Sequence, residues 1–291
     1  MKKTGFFNII NYSLITLFSL FCALPLVLLF MVSLTDEKSI IKNGYQLLPE
    51  QFSLEAYKMI FTGGHDIFNS YLVTIFVTVA GTLIAVMITA MAAYTLANKN
   101  VSHRNTLSLF FFFTMVFNGG IVPWYIICVK LGLRNNILAL IIPSLLFNPF
   151  NLFLVRNYMN GIPDSLRESA LIDGAGDIRI AFQIYLPLST PVLAAVSLFY
   201  GLAYWNNWWN AIMLVEKKNL YPLQYFLLKL KSELTMLTDL QGSSAVLSTI
   251  TMPTESLKMA TAIITIGPII LLYPYLQRYF VKGLMIGSIK G

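Results

Sequence analysis

Charged side chains are scarce in this sequence, yet five of them crowd into one short stretch. Only 11% of the 291 residues are charged, and RESALIDGAGDIR (167–179) holds Arg167, Glu168, Asp173, Asp177 and Arg179 between two long apolar runs. Such a cluster could serve acid–base chemistry, or it could contact a partner molecule. Catalysis would require further reactive residues elsewhere in the chain.

The residues that membrane enzymes use are missing from the apolar runs. The two histidines fall in loops, no HExxH or GxSxG motif occurs, and no carboxylate pair lies inside an apolar run. The chain also lacks a GxxxxGK[ST] phosphate loop, so it is not expected to hydrolyse ATP. Cys22 and Cys128 lack metal-ligand spacing and are predicted to be structural thiols. We predict no catalytic residue, no metal site and no cofactor on this chain.

A second group of residues could bind a ligand without reacting with it. AYWNNWWN (203–210) interleaves aromatic rings with amides. Ring faces beside amide groups suit a sugar, which has an apolar face and a rim of hydroxyls, but aromatic residues at a helix end also form ordinary interfacial belts. Both interpretations stay open, and the candidate substrate-pathway residues are Trp205, Asn206, Asn207, Trp208 and Asn210.

The composition predicts an all-α integral membrane protein. Hydrophobic residues make up 57% of the chain and the mean hydropathy is +0.70. Several runs approach or exceed the ~20 apolar residues that cross a bilayer as a helix, and none alternates as a membrane strand would. The net charge of +7 is spread along the chain, which favours membrane flanks over nucleic acid. One membrane domain (1–291) is predicted, with spans at about 12–33, 70–97, 106–129, 137–155, 188–210 and 259–280.

An even number of spans puts both termini on one side. The basic residues of that side lie in the shorter connections, which favours cytoplasmic termini by the positive-inside rule. Two long loops, about 34–69 and 211–258, then face outward. The second contains the amphipathic stretch YPLQYFLLKLKSEL (221–234), which is either a helix on the membrane surface or a docking surface for an external protein.

The charged stretch itself has the signals of two short helices. Pro163 suits the start of the first helix, Gly174 to Gly176 should end it, and Asp177 can cap the second. Ile178, Phe182 and Tyr185 should share one face of that second helix. The result would be a small rigid protrusion between spans four and five, which either packs on lipid headgroups or presses on a soluble partner.

The same residues carry a resemblance to a known family. ESALIDGAGDIRIAFQIYLP (168–187) resembles the EAA loop of permease subunits of binding-protein-dependent ATP-binding-cassette importers, with Ser169 in place of the family's first alanine. FNGGIVPWY (117–125), IPDSLRESALIDGAG (162–176) and the C-terminal stretch 252–291 resemble the carbohydrate-uptake branch, in particular the type of the maltose permease MalG and the LplC/YtcP type.

The resemblance implies a six-helix type I importer (MetI-like) fold with a cytoplasmic EAA coupling loop at 162–187, in a multi-pass protein of the bacterial cytoplasmic membrane. It implies a second homologous permease subunit, two ATPase subunits that hold the ATP and Mg, and an external solute-binding protein that contacts the 211–258 loop. The ATPase-coupling residues would be Leu166, Glu168, Ser169, Ala170, Ile172, Asp173, Gly174, Ile184, Leu186 and Pro187, and the ATPase-contacting tail would be Gly287, Ser288, Ile289, Lys290 and Gly291.

The function that the resemblance implies is ATP-driven import of an oligosaccharide or polysaccharide-derived sugar by alternating access, with no bond chemistry on this chain. Import of a non-sugar solute and a non-transporting role in membrane assembly are the alternatives.

Overall fold

The structure is a computed structural model that describes residues 4–62, 65–242, 254–268 and 270. Its regular elements in these ranges are all helical, which confirms the predicted all-α class for this part of the chain. An isolated antiparallel bridge joins Thr35 to Phe52. In chain order the helices are α1 (Thr4–Ser33), α2 (Glu37–Asn43), α3 (Glu55–Thr62), α4 (His65–Ala97), α5 (Arg104–Val116), α6 (Ile121–Lys130), α7 (Leu138–Ile141), α8 (Pro149–Met159), α9 (Asp164–Ile172), α10 (Asp177–Ile180), α11 (Leu186–Leu188), α12 (Thr190–Trp205), α13 (Trp209–Leu214), α14 (Leu223–Gly242) and α15 (255–268).

Two further turns connect these helices. A π-helical turn, Ala181–Tyr185, joins α10 to α11, and a 3₁₀ turn, Lys218–Leu220, precedes α14. The described residues form two compact units. One contains those of Met1–Ile67 and Phe226–Ile269, and the other contains those of Phe68–Tyr225 with Ile270.

In the first unit, the buried carboxylate of Glu37 caps the start of α15. Its oxygens accept hydrogen bonds from the backbone N–H groups of Glu255 (2.8 Å) and Ser256 (3.1 Å) and from the hydroxyls of Thr254 and Ser256. These donors include N–H groups that a helix leaves unpaired at its start, and a negative charge there also suits the helix dipole. The start of α2 is thereby fixed to the start of α15.

Two helices are long and apolar enough to cross a membrane unbroken. Within α1 the candidate span is Phe7–Ser33, and within α4 it is Ile67–Ala97, so the predicted spans 12–33 and 70–97 lie inside single helices. Among the described residues, two further pairs of helices are long and apolar enough to cross a membrane only if each pair counts as one span with a bend at a short break. Counted in this way, the described residues contain up to four spans by length and composition.

The predicted span at 106–129 is not one continuous helix. Helices α5 and α6 meet at 114°, and the bend falls at Asn118-Gly119-Gly120. Gly120 has φ +87°, a backbone conformation that glycine adopts without steric cost, and its N–H donates to the Asn118 side chain (2.9 Å). The local turn chemistry of NGG therefore overrides the apolar pattern that predicted a straight span.

The predicted spans at 137–155 and 188–210 are divided as well. In the first, α7 and α8 are separated by an irregular segment with Pro143 and with Ser144 at φ +64°, and α8 restarts where the Asn148 side chain accepts from the N–H of Phe150 (2.9 Å). In the second, α11 and α12 are bent by 82° about Ser189. The last predicted span, 259–280, lies in α15 as far as residue 268, and half of it falls outside the described residues.

Helices α4 and α12 pack closely where they meet at Gly81, a contact here termed the close crossing. A Cβ added to Gly81 of α4 would lie 2.5 Å from the ring of Tyr204 on α12. The Tyr204 ring is 2% exposed and its hydroxyl donates to the carbonyl of Ile141 (2.9 Å), so it has no room to move aside. Further along α4, the Thr89 hydroxyl forms a buried hydrogen bond of 2.7 Å with the Tyr200 hydroxyl of α12.

We predict that Gly81→Ala lowers the stability of the protein by about 2 kcal/mol, because overpacking must displace a buried, hydrogen-bonded ring. Gly201→Ala is the matched control, since its added Cβ would make only an ordinary 3.7 Å contact with Thr82. Thermal unfolding in detergent measures both variants. An unchanged melting temperature for Gly81→Ala would contradict the close crossing.

Candidate functional site

The charged stretch and its flanks, residues 162–187, are here termed the charged segment. Its first helix, α9, begins at Asp164 directly after Pro163, and it ends where Gly174 takes φ +77°. The N–H of Gly174 donates to the Leu171 carbonyl (3.0 Å), and the N–H of Ala175 donates to the Ala170 carbonyl (2.9 Å). This pair of bonds is the Schellman ending, which requires the left-handed residue that glycine supplies. The predicted helix–glycine–helix form is present.

Two details of the second helix differ from the sequence expectation. Gly176, not Asp177, occupies the capping position of α10, and the Asp177 carboxylate makes no capping bond. Tyr185 is 5% exposed, whereas Ile178 and Phe182 are 73% and 44% exposed, so the predicted common face of these three residues is wrong. The π-helical turn explains the second difference, since its wider turn rotates Tyr185 away from the other two residues.

The Asp177 carboxylate instead joins the charged segment to α4. It accepts a hydrogen bond from the Arg167 guanidinium of α9 (3.0 Å) and another from the Tyr94 hydroxyl of α4 (3.3 Å). The Tyr94 ring also packs edge-on against Tyr185, with ring centroids 5.0 Å apart. Burial acts to lower the pKa of Arg167, but its bonds to Asp177 and Tyr94 outweigh that effect and raise it, so the guanidinium stays charged.

A second link ties the start of α9 to the end of α4. Lys99, two residues beyond α4, forms an ion pair with Asp164. Both side chains are more than half exposed, so this pair is weak by itself. Together with the bonds of Asp177, however, it holds both helices of the charged segment against the same end of α4.

The outer side of the charged segment presents apolar side chains without cover from the described residues. Ile172 is 86% exposed, and Leu166 and Leu171 are each 42% exposed. Glu168 and Asp173 are exposed and form no ion pair within the described part of the chain. Large exposed apolar side chains beside unpaired charges are typical of a surface that another protein covers.

The remaining predicted coupling residues lie around this surface. Gly174, Ser169 and Pro187 are exposed, and Ala170, Ile184 and Leu186 are half-buried. A Cβ added to Gly174 would meet nothing within 4 Å, so the space over it is open. The predicted tail residues Gly287 to Gly291 lie outside the described residues.

The aromatic–amide cluster, AYWNNWWN (203–210), has a buried part and an exposed part. Trp205 and Asn210 are 7% and 2% exposed, and the Asn210 amide donates to the Pro143 carbonyl (2.8 Å), so these two residues hold the helices together. Trp208 is 42% exposed and packs edge-on against Trp209, with ring centroids 5.7 Å apart. The Asn207 Nδ2 group is buried without a hydrogen-bond partner among the described residues.

Asn206 and the amphipathic stretch meet at the start of the long second loop. The Asn206 side chain donates to the Leu202 carbonyl (2.9 Å) and accepts from the Gln224 amide of α14 (3.1 Å). Leu223 and Leu227 of α14 are buried by other parts of the chain. The apolar face of this helix is therefore partly used within the protein, as far as the described residues extend.

Sequence reasoning missed the residues on which the charged segment rests. Tyr94 is one of several aromatic residues in a long apolar helix, and no local signal marks it as the partner of Asp177, 83 positions later. Lys99 carried a usable signal, because a cation just beyond a helix end often pairs with an acid nearby. No group of three His, Cys, Asp or Glu side chains that could hold a metal occurs in residues 4–62, 65–242, 254–268 and 270.

Comparison with known proteins finds relatives along almost the whole chain. Residues 104–286 match the family described as binding-protein-dependent transport system inner membrane component. The chain is 36% identical over 290 residues to a polygalacturonan/rhamnogalacturonan transport system permease protein, YtcP, of Bacillus subtilis, covering 99% of this chain and 100% of that protein. It is 28% identical over 276 residues to an arabinooligosaccharides transport system permease protein, AraQ, of Halalkalibacterium halodurans, covering 92% and 91%.

A solved structure has the same fold. A chain of the crystal structure of a bacterial ABC transporter involved in the import of the acidic polysaccharide alginate superposes with a TM-score of 0.81 and 30% sequence identity. The superposition covers 96% of this chain and 98% of that chain.

We predict that Asp177→Asn loosens the charged segment from α4 by about 1 kcal/mol, because the lost carboxylate serves both Arg167 and Tyr94 but is 61% exposed. Hydrogen exchange of the α9 and α10 amides should then accelerate about fivefold. Asp173→Asn, which removes an unpaired acid four residues away, is the control. Equal protection in both variants would rule out the link.

Proposed function

The chain belongs to the family of binding-protein-dependent transport system inner membrane components, and from this premise we propose that it forms half of the sugar pathway of an ATP-driven importer. It is a permease subunit of an inner-membrane ABC transport system and not an enzyme. The proposed cargo is an oligosaccharide or polysaccharide-derived sugar. Relatives over nearly full length are named for polygalacturonan/rhamnogalacturonan and arabinooligosaccharide transport, and the structural neighbour for alginate import.

The single observation that carries the proposed coupling is the exposed outer side of the charged segment. Apolar Leu166 and Ile172 beside acidic Glu168 and Asp173 stand on two short helices that are fixed to α4. We assign this side to the ATPase: the apolar side chains enter a cleft, and the acids face basic residues there. Ala170 and Gly174 allow the close approach, and the segment acts as the EAA loop of a six-span permease with both termini in the cytoplasm.

ATP and Mg belong to the two ATPase subunits in this proposal. When ATP binding closes the ATPase dimer, the charged segment moves with the ATPase and displaces the attached helices. The transporter thereby changes from the inward-open to the outward-open state. The chain contributes contacts whose free energies differ between those states.

We propose two further partners, one within the membrane and one outside the cell. Almost every side chain of the candidate span in α1 is exposed. Apolar side chains on all sides of this helix, such as Phe18 and Phe21, require lipid or another membrane subunit around them. A second, homologous permease subunit would complete the pathway. A solute-binding protein would deliver the sugar to the outward loops, about 34–69 and 211–258.

We predict that Gly174→Asp reduces sugar uptake at least tenfold while the protein still inserts into the membrane, because the new side chain would occupy the open space that the ATPase needs. Gly132→Asp is the matched control, since Gly132 has a similar φ of +71° and equally open surroundings outside the charged segment. Uptake and ATP hydrolysis in proteoliposomes measure both. If the two variants lose transport equally, backbone strain and not docking is responsible.

We also predict that Trp208→Ala and Asn207→Ala raise the KM for uptake without impairing assembly of the complex, because Trp208 carries a ring that is 42% exposed and Asn207 carries the unpartnered amide of the cluster. Trp209→Ala removes the neighbouring ring as a control for general packing. Unchanged uptake kinetics in both variants, with complex assembly intact, would identify the cluster as an interfacial belt.

A further inference from the structure

A partly open pocket lies between α8 and α12, outside the charged segment, and touches the aromatic–amide cluster only at Ala203. Its volume is about 290 Å³. Polar side chains come from Ser144, Asn148 and Asn151, and ring faces come from Phe150 and Phe199. Ligand pockets in proteins begin at about 300 Å³, so this pocket has room for one sugar ring and not for a whole oligosaccharide.

Asn151 is the group that points to a ligand. The residue is 4% exposed, and its side-chain amide makes no hydrogen bond within the described part of the chain. Because buried polar groups are normally paired, this amide depends on a hydrogen-bonding molecule in the pocket, solvent included. Because Asn151 lines the pocket, a molecule that both donates and accepts hydrogen bonds there would satisfy it.

The other polar groups of the pocket are partly committed to the fold. The Asn148 side-chain oxygen caps α8, which leaves its Nδ2 group as a donor without a partner among the described residues. The Tyr200 hydroxyl already bonds Thr89 and accepts the N–H of Asn148 (3.0 Å), so it forms a fixed wall. The pocket thus offers amides on one side and, in Phe150 and Phe199, aromatic rings that are 54% and 41% exposed on another.

We propose that this pocket binds one uncharged sugar ring of the transported oligosaccharide. Amides recognise its hydroxyls, and the phenyl rings cover its apolar face. The lining residues carry no charge, so a uronate carboxylate would have to enter this apolar site without a counter-charge, which is unfavourable. The inference rests on the proposed function and adds a subsite and a preference to it.

The test uses the complete importer, with its second permease, ATPases and binding protein, in proteoliposomes. The probes are oligosaccharides with uncharged rings (arabinooligosaccharides, rhamnogalacturonan oligomers) and fully acidic ones (oligogalacturonides, alginate oligomers). We expect the best substrate to contain an uncharged ring, and Asn151→Leu to raise its KM about tenfold. Asn157→Leu, at an exposed position of the same helix, should leave that KM unchanged.

A second variant tests the pocket independently, in case Asn151→Leu fails to fold. Ala203→Leu fills the pocket from an exposed position on α12 and leaves Asn151 in place, so it should reduce uptake of the same sugar. Wild-type kinetics in an assembled Asn151→Leu or Ala203→Leu complex would overturn the subsite, and so would transport of fully acidic oligomers alone, while sugar import itself would stand. Uptake of none of the probes would overturn both the subsite and the proposed function.

Discussion

The close crossing of α4 and α12 at Gly81 is the constraint on which the site depends. A larger residue at this position would push Tyr204 out of its bond with the Ile141 carbonyl and separate the helices. The buried bond between Thr89 and Tyr200 forms only while the helices stay this close. Since α4 is 33 residues long and unbroken, it can carry a displacement over about 50 Å as one rigid element.

This geometry brings the charged segment and the pocket within reach of each other. Tyr94 holds Asp177, and Thr89, five residues earlier on the same helix, holds Tyr200; the two positions are about 7.5 Å apart along the axis. Tyr200 also fixes the N–H of Asn148, the residue that caps α8. On the proposed mechanism, a movement of the charged segment therefore reaches the pocket wall through three hydrogen bonds and one helix.

The sequence was sufficient for the elements whose cause is local. Gly174 ends α9 because a left-handed residue is needed there, and the apolar runs of α1 and α4 predict long helices directly. It was insufficient where several local signals compete, as at Asn118-Gly119-Gly120, where turn chemistry interrupts an apolar run. It carried no signal at all for pairs such as Tyr94 and Asp177 or Glu37 and Ser256, because their proximity is created only by the tertiary fold.

The free-energy cost of burying a charge determines where this protein has charged side chains and where it has neutral polar ones. Arg167 is only 13% exposed, and it remains charged because Asp177 and Tyr94 lie against it outside the apolar core. Between α8 and α12 no counter-charge lines the pocket, so recognition there has to come from neutral amides and rings, as in Asn151 and Phe199. A chain built in this way can distinguish hydroxyl patterns and ring faces, and selection for an acidic group must then come from residues outside this pocket. The pocket can thus exclude a uronate ring from this site, but selecting one would require a cation that the lining residues do not supply.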